Sequence, residues 1–175
     1  MQQEVSTEAV DVDRLRAALS TVADRQWWSL PSKYGQNGVH HGRAVITMVS
    51  HGRWEDFAEP FRFVLERFAP VHSAYLSWLA PGGFIASHRD EGPYLERWQV
   101  PIHAAGRFDD DRPVDGMPFR VFHWQRHAVW NMTDRPRIHL VIDRDIPVDV
   151  PSQPYERFPD PDEFRSLIAA AAASD

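Results

Sequence analysis

His88 and Asp90 stand two residues apart in SHRDEGPYLERWQV, residues 87 to 100, and Arg97 follows His88 by nine. Side chains two apart in a strand share a face, so this imidazole and carboxylate can reach one point. Two histidines and one carboxylate grouped on one side of an ion, with its other positions open, form the facial triad of non-haem iron(II) chemistry. A lone His-x-Asp also describes a polar turn, so a third ligand is required. His123, His127 and His139 are the candidates. The chain has no cysteine, which excludes disulfides, thiolate metal sites and thiol nucleophiles and leaves His and carboxylates as ligands.

Arginine placement adds a second kind of chemistry. In PRIHLVID, residues 136 to 143, alternation puts Ile138, Leu140 and Ile142 on one face and Arg137, His139, Val141 and Asp143 on the other. With both faces covered, Arg137 is a buried cation, which is costly unless paired. Its partner is an acid of this chain or the carboxylate of a ligand, which guanidinium grips through two hydrogen bonds.

The elements that must position these residues follow from pattern. Asp11 to Arg25 carries Leu15, Ala18, Leu19 and Val22 at helical spacing behind Asp11 as N-cap. WWSLPSKYGQNGVHHG, residues 27 to 42, is a loop leading into the strand RAVITMVS. Phe57, Phe61, Val64, Leu65 and Phe68 mark one face of a second helix, with Pro60 in its first turn and Pro70 past its end. From Val71 to about Asp143, short β runs broken by PGG, EGP and DDDRPVDG have the texture of an antiparallel sandwich or small barrel. A proline-rich strap follows, and Asp160, Pro161 and Glu163 fit the start of a helix carrying Phe164, Leu167 and Ile168. The 175 residues are thus expected to form one domain, with a helical and loop part over 1–70, a β core over 71–145 and a strap with a helix over 146–175.

The 19 Lys and Arg are scattered among 25 Asp and Glu with no basic stripe, which argues against a nucleic-acid partner. No signal peptide and no membrane-length apolar run are seen, so a soluble, cytoplasmic chain with no membrane partner is expected. Neither a phosphate-binding glycine loop nor a Gly-x-Ser-x-Gly elbow is present. His40, His41 and His51 with Lys33, Arg43 and Arg53 make the region before the core locally basic, readable as a solvated loop or as a site for an acidic substrate.

SWLAPGGFIASHRD, ERWQVPI, RHAVWN and RPRIHLVID, taken in order, resemble the aspartyl/asparaginyl β-hydroxylase family of Fe(II)- and 2-oxoglutarate-dependent oxygenases, and the HRD and PRIHLVID segments also resemble the bacterial free-proline hydroxylases. The resemblance covers roughly residues 73 to 145. It implies a double-stranded β-helix of the cupin kind, and an Fe(II) held by His88, Asp90 and His127. It further implies that Arg137 grips the distal carboxylate of 2-oxoglutarate beside Ser77, and that Arg97 lies near the carboxylate next to the iron. The family has Arg-x-His where this chain has Gln99, which donates a hydrogen bond but bears no charge. The implied reaction consumes O2 and 2-oxoglutarate and hydroxylates Asp or Asn in a peptide, or a free amino acid. The alternative from another class is a cupin-like module that binds a metal or small molecule and performs no oxidation.

Overall fold

The computed structural model describes residues 4–22, 27–29, 33–35, 38–90, 95–109 and 111–150. Helix α1 runs over Val12–Leu19, and the Asp11 side chain accepts from the Arg14 backbone N–H at 3.0 Å, as its cap position requires. The second helical segment is not one helix. It breaks into a 3-10 stretch Asp56–Phe61, a single α turn α2 over Arg62–Leu65 and a 3-10 turn Glu66–Phe68. Pro60 lacks an N–H and biases Glu59 away from the α conformation, so the regular ladder cannot start early, and Pro70 ends it. The apolar face survives the break, with Phe61, Val64 and Leu65 fully buried.

Eleven strands are seen among the described residues, all paired antiparallel. The short ones are β1 (Glu4–Val5), β2 (Trp28–Ser29), β3 (Lys33–Gly35), β5 (Arg53–Trp54), β8 (Arg107–Phe108) and β9 (Phe119–Val121). The long ones are β4 (Gly38–Ser50), β6 (Val71–His88), β7 (Leu95–His103) and β11 (Arg137–Pro147), with β10 at His127–Trp130. Strands β9, β7, β11, β6 and β4 lie side by side, and the far half of β6 turns to pair with β10, which pairs with β8. This is a double-stranded β-helix, or jelly roll.

Two of these strands serve both halves of the roll. β4 pairs through His40 and His41 with Ile85 and Phe84, shifts register at Gly42, and then pairs through Arg43 and Ala44 with Leu79 and Trp78. Gly42 has φ +65°, and a Cβ on Gly83 would stand 2.8 Å from the Ala80 carbonyl oxygen and 3.0 Å from that of His41. Only glycine fits there. PGG is therefore a bend inside one 18-residue strand, not a connection between two. The reading of residues 27–42 as a loop is corrected, because neighbours in β3, from Gly38, and in β6, from His40, draw this stretch of β4 into the sheet. The core thus reaches back before residue 71. The strap is described only to Val150, and the helix expected from Asp160 lies outside the described residues.

Asn131 holds the bend. Its fully buried side chain donates to the carbonyls of Leu79 and Ala80 at 3.1 Å and Arg135 at 2.7 Å, and accepts from the Thr133 hydroxyl at 2.7 Å. Asn131→Ala leaves those carbonyls unpaired and is expected to cost about 2–4 kcal/mol, read as a lower melting temperature.

Face assignment follows the alternation. Ala74, Leu76, Val100, Ile102, Ile138, Leu140 and Ile142 pack with α1 and the residues of the broken helix on one side of the larger sheet. The other face lines the interior of the roll, where Leu79, Ile85, Phe108, Phe119, Val121 and Val129 cluster. No helix among the described residues is long and apolar enough to cross a membrane.

Candidate metal centre

His88 closes β6, His127 opens β10, and the antiparallel register sets them opposite each other. Their ring centroids are 4.3 Å apart. Asp90 lies just beyond β6, tied by its backbone N–H to the His123 carbonyl at 2.8 Å. One ligand atom from each of His88, Asp90 and His127 lies within 4.8 Å of the others, and neither His123 nor His139 belongs to this group.

Both imidazoles are oriented the same way. His88 Nδ1 is 2.7 Å from the Ala86 carbonyl oxygen, and His127 Nδ1 is 3.0 Å from that of Gln125. A carbonyl only accepts, so each Nδ1 carries the proton and each Nε2 keeps a lone pair for an ion. Phe108, fully buried, stacks on His127 at 5.5 Å and 6° and fixes its plane. Burial, with His88 next, pushes the His127 pKa down to about 4, so the ring is neutral and ready to ligate at neutral pH. His88 Nε2 is 3.5 Å from Asp90 Oδ1.

The other oxygen of Asp90 is taken by Arg97 Nη1. Burial would raise the Asp90 pKa, but the Arg97 guanidinium beside it outweighs that and holds the carboxyl well below the usual carboxylate range. Arg97 is held in turn by Asp143, through Nε to Oδ1 at 2.6 Å and Nη2 to Oδ2 at 3.1 Å, and Asp143 accepts from the Ser73 hydroxyl at 2.8 Å. Three of its five N–H groups are engaged, and each terminal nitrogen keeps one N–H for another acceptor. Sequence reasoning placed Asp143 on the correct face but gave it no role; the signal was that a buried arginine needs an acid. Asp143→Asn is expected to weaken metal binding about 10- to 100-fold, measured by metal titration, because it loosens the arginine that aims Asp90.

Further along the interior lies a second group. Arg137 is 2% exposed, and its Nη2 donates to Gln99 Oε1 at 3.2 Å. His139 Nδ1 lies 2.9 Å from both that oxygen and Arg137 Nη2. The three contacts cannot all be hydrogen bonds, because Nδ1 either donates to the amide oxygen or accepts from the guanidinium. Arg137 Nε and His139 Nε2 are buried without any partner. Burial, with Arg43 next, pushes the Arg137 pKa down to about 9, and burial, with Arg137 next, pushes His139 well below its ordinary value. At neutral pH this is one cation beside a neutral ring, with no acid paired to it among the described residues. Ser77, also buried, lies opposite His139 on β6. The alternative raised by the sequence, an internal acid for Arg137, is not met among the described residues.

Several solved structures have this architecture. A 2OG-Fe(II) oxygenase family oxidoreductase from Burkholderia pseudomallei matches with TM-score 0.55 and 15% identity over 76% of this chain and 78% of its own. A prolyl-4-hydroxylase from Pseudomonas putida matches with TM-score 0.55 and 13% identity over 81% and 92%. A viral collagen prolyl hydroxylase from Paramecium bursaria Chlorella virus-1, solved as a 2OG complex, matches with TM-score 0.50 and 10% identity over 82% and 95%. The fold is shared with these oxygenases. No family model and no curated protein matches the chain in sequence. The His88, Asp90 and His127 group sits where β6 ends and β10 begins, and Arg137 and His139 are more fully buried than its histidines.

Proposed function

We infer that the chain is an Fe(II)- and 2-oxoglutarate-dependent dioxygenase that hydroxylates an amino-acid side chain, as an Asp or Asn residue of a peptide or as a free amino acid. The observation that carries this reading is the pairing of two sites in one interior: a His–His–carboxylate set with both Nδ1 atoms turned to carbonyls, and a buried guanidinium with no acid paired to it among the described residues.

The donor set suits a divalent ion, since two imidazole nitrogens and one carboxylate oxygen lie within 4.8 Å of one another, the ligand types of non-haem iron(II) sites. When bound, iron with 2-oxoglutarate and O2 supplies oxidative decarboxylation to succinate and CO2, with insertion of the other oxygen atom into a substrate C–H bond. The chain's own residues do the positioning. His88 and His127 hold the ion with rings fixed by carbonyls two residues upstream, and Asp90 presents Oδ1 while Arg97 occupies Oδ2. Arg137 grips the distal carboxylate of 2-oxoglutarate, with Ser77 beside it and Gln99 orienting the guanidinium. Arg97 keeps two unused N–H groups that can donate to the carboxylate nearer the ion.

Anaerobic addition of Fe(II) and then 2-oxoglutarate to the purified protein is expected to produce the weak visible charge-transfer band of the chelated complex. A folded, iron-loaded protein that shows no band overturns the reading in favour of a cupin-like binding module.

A further inference from the structure

We propose that Arg43 is the residue that grips a carboxylate of the substrate, so that the substrate class is an amino acid or peptide bearing a carboxylate near the carbon that is hydroxylated. The inference rests on the oxygenase reading above and goes beyond it by naming what the substrate must carry.

Sheet register places the residue. Arg43 on β4 and Arg137 on β11 are both paired with Leu79 of β6, one from each side. Paired residues in a ladder point to one face, and strands two apart are separated by about 10 Å, so both guanidinium stems leave the sheet on the side of Leu79. Leu79 belongs to the interior cluster, whereas Ala44, the next residue on β4, pairs with Trp78, which packs with the helical side. Arg43 therefore faces the same interior as the two groups described above. Its charge contributes to the depression of the Arg137 pKa, as two cations sharing one low-dielectric space require.

Arg43 Nε is buried with no hydrogen-bond partner, and no ion pair joins Arg43 or Arg137 to an acid among the described residues. The acids of this interior that could serve, Asp90 and Asp143, are both held by Arg97. Two guanidiniums on one inner face, Arg137 buried and Arg43 half-buried, with no acid paired to either among the described residues, call for two carboxylates. One is the distal carboxylate of 2-oxoglutarate on Arg137. With a divalent ion and that dianion in place, the three arginines still outweigh Asp90 and Asp143 by enough to leave one positive charge. A substrate carboxylate on Arg43 balances it. This resolves the basic segment noted in the sequence: Arg43 points inward, while His41, His51 and Arg53 are exposed.

The test uses the full chain and measures two things separately. Anaerobic charge-transfer titration reads cosubstrate affinity, and succinate release in air is then followed with L-proline, L-aspartate, N-acetylglycine and a dipeptide, each beside its carboxamide. The expected result is that at least one acid raises succinate release while its amide does not. Arg43→Met then raises the concentration of that acid needed by about 10- to 100-fold and shifts the 2-oxoglutarate titration by less than about three-fold, and Arg43→Lys recovers part of the loss. Amides acting as well as acids, a panel in which no acid acts, or a cosubstrate titration weakened as much as by loss of Arg137 each overturn the role of Arg43 while the wild-type band stands. Absence of the band in the wild-type protein overturns the oxygenase reading and this assignment together.

Discussion

Arg137→Met is expected to make the ligand-free protein more stable and to abolish its affinity for 2-oxoglutarate. Arg137 is fully desolvated and has no acid against it among the described residues, so the folded state bears the cost of a buried charge. Methionine fills the same unbranched space without charge, and Gln99 and His139 remain 2.9 Å apart and able to bond to each other. Replacing buried charges with apolar side chains stabilises by roughly 1–4 kcal/mol, and a mid-range gain raises the melting temperature of a chain this size by about 5–10 °C. The pH dependence has a definite sign. A cation whose pKa falls on folding destabilises the fold wherever the unfolded chain keeps the proton. The advantage of Arg137→Met is thus fully present at neutral pH and shrinks above about pH 9, where the folded wild type begins to release its proton. Binding changes in the opposite direction. Loss of a buried, charge-assisted grip costs about 2–5 kcal/mol, so 2-oxoglutarate affinity falls about 30-fold or more in the charge-transfer titration. A variant that is less stable and still binds would show that Arg137 is held in place for packing alone.

His127→Ala carries the second large effect. His127 supplies one of two imidazole nitrogens to the His88, Asp90 and His127 group, and alanine there leaves two ligands and an opening beside Phe108. Wild-type protein with metal at a hundred-fold excess over its dissociation constant gains about 2.7 kcal/mol, which is roughly 5–10 °C in melting temperature. In His127→Ala that metal-dependent shift is expected to vanish, and succinate release with it. His88→Ala should match it. His123→Ala is the control, because that residue meets the site through its backbone carbonyl, and it should keep most of the shift. Equal losses in both variants would move the third ligand away from His127.

The two experiments also separate the two halves of the site. Arg137→Met leaves the metal-dependent shift intact, and His127→Ala removes it, so a protein in which one substitution abolished both metal and cosubstrate binding would have a single coupled site.

Much of this arrangement was legible in the chain. Spacing of two placed His88 and Asp90 together, alternation put Arg137, His139 and Asp143 on one face, and Asp11 marked the start of α1. These are local properties, set by the period of a strand or by a helix's need for a cap, and they survive translation into structure because nothing distant has to be known. Propensity misread the segment around Pro60 as one helix, because the apolar period was right while the backbone at Glu59 and Pro60 could not follow it.

What the tertiary structure alone decided concerns partners far apart in sequence. Residue spacing left three histidines open, and although the family resemblance pointed to His127, its grouping with His88 and Asp90 comes from the register of β10 against β6; the pairing of Arg97 with Asp143 likewise links residues 46 positions apart. Gly42 and the Pro81–Gly83 bend allow β4 and β6 to pass from one half of the roll to the other, and that passage turns Arg43 from a residue in a basic loop into one facing the interior. Such outcomes depend on which strands become neighbours, a matter of burying apolar faces across the whole fold, and no window of sequence contains both sides of those contacts.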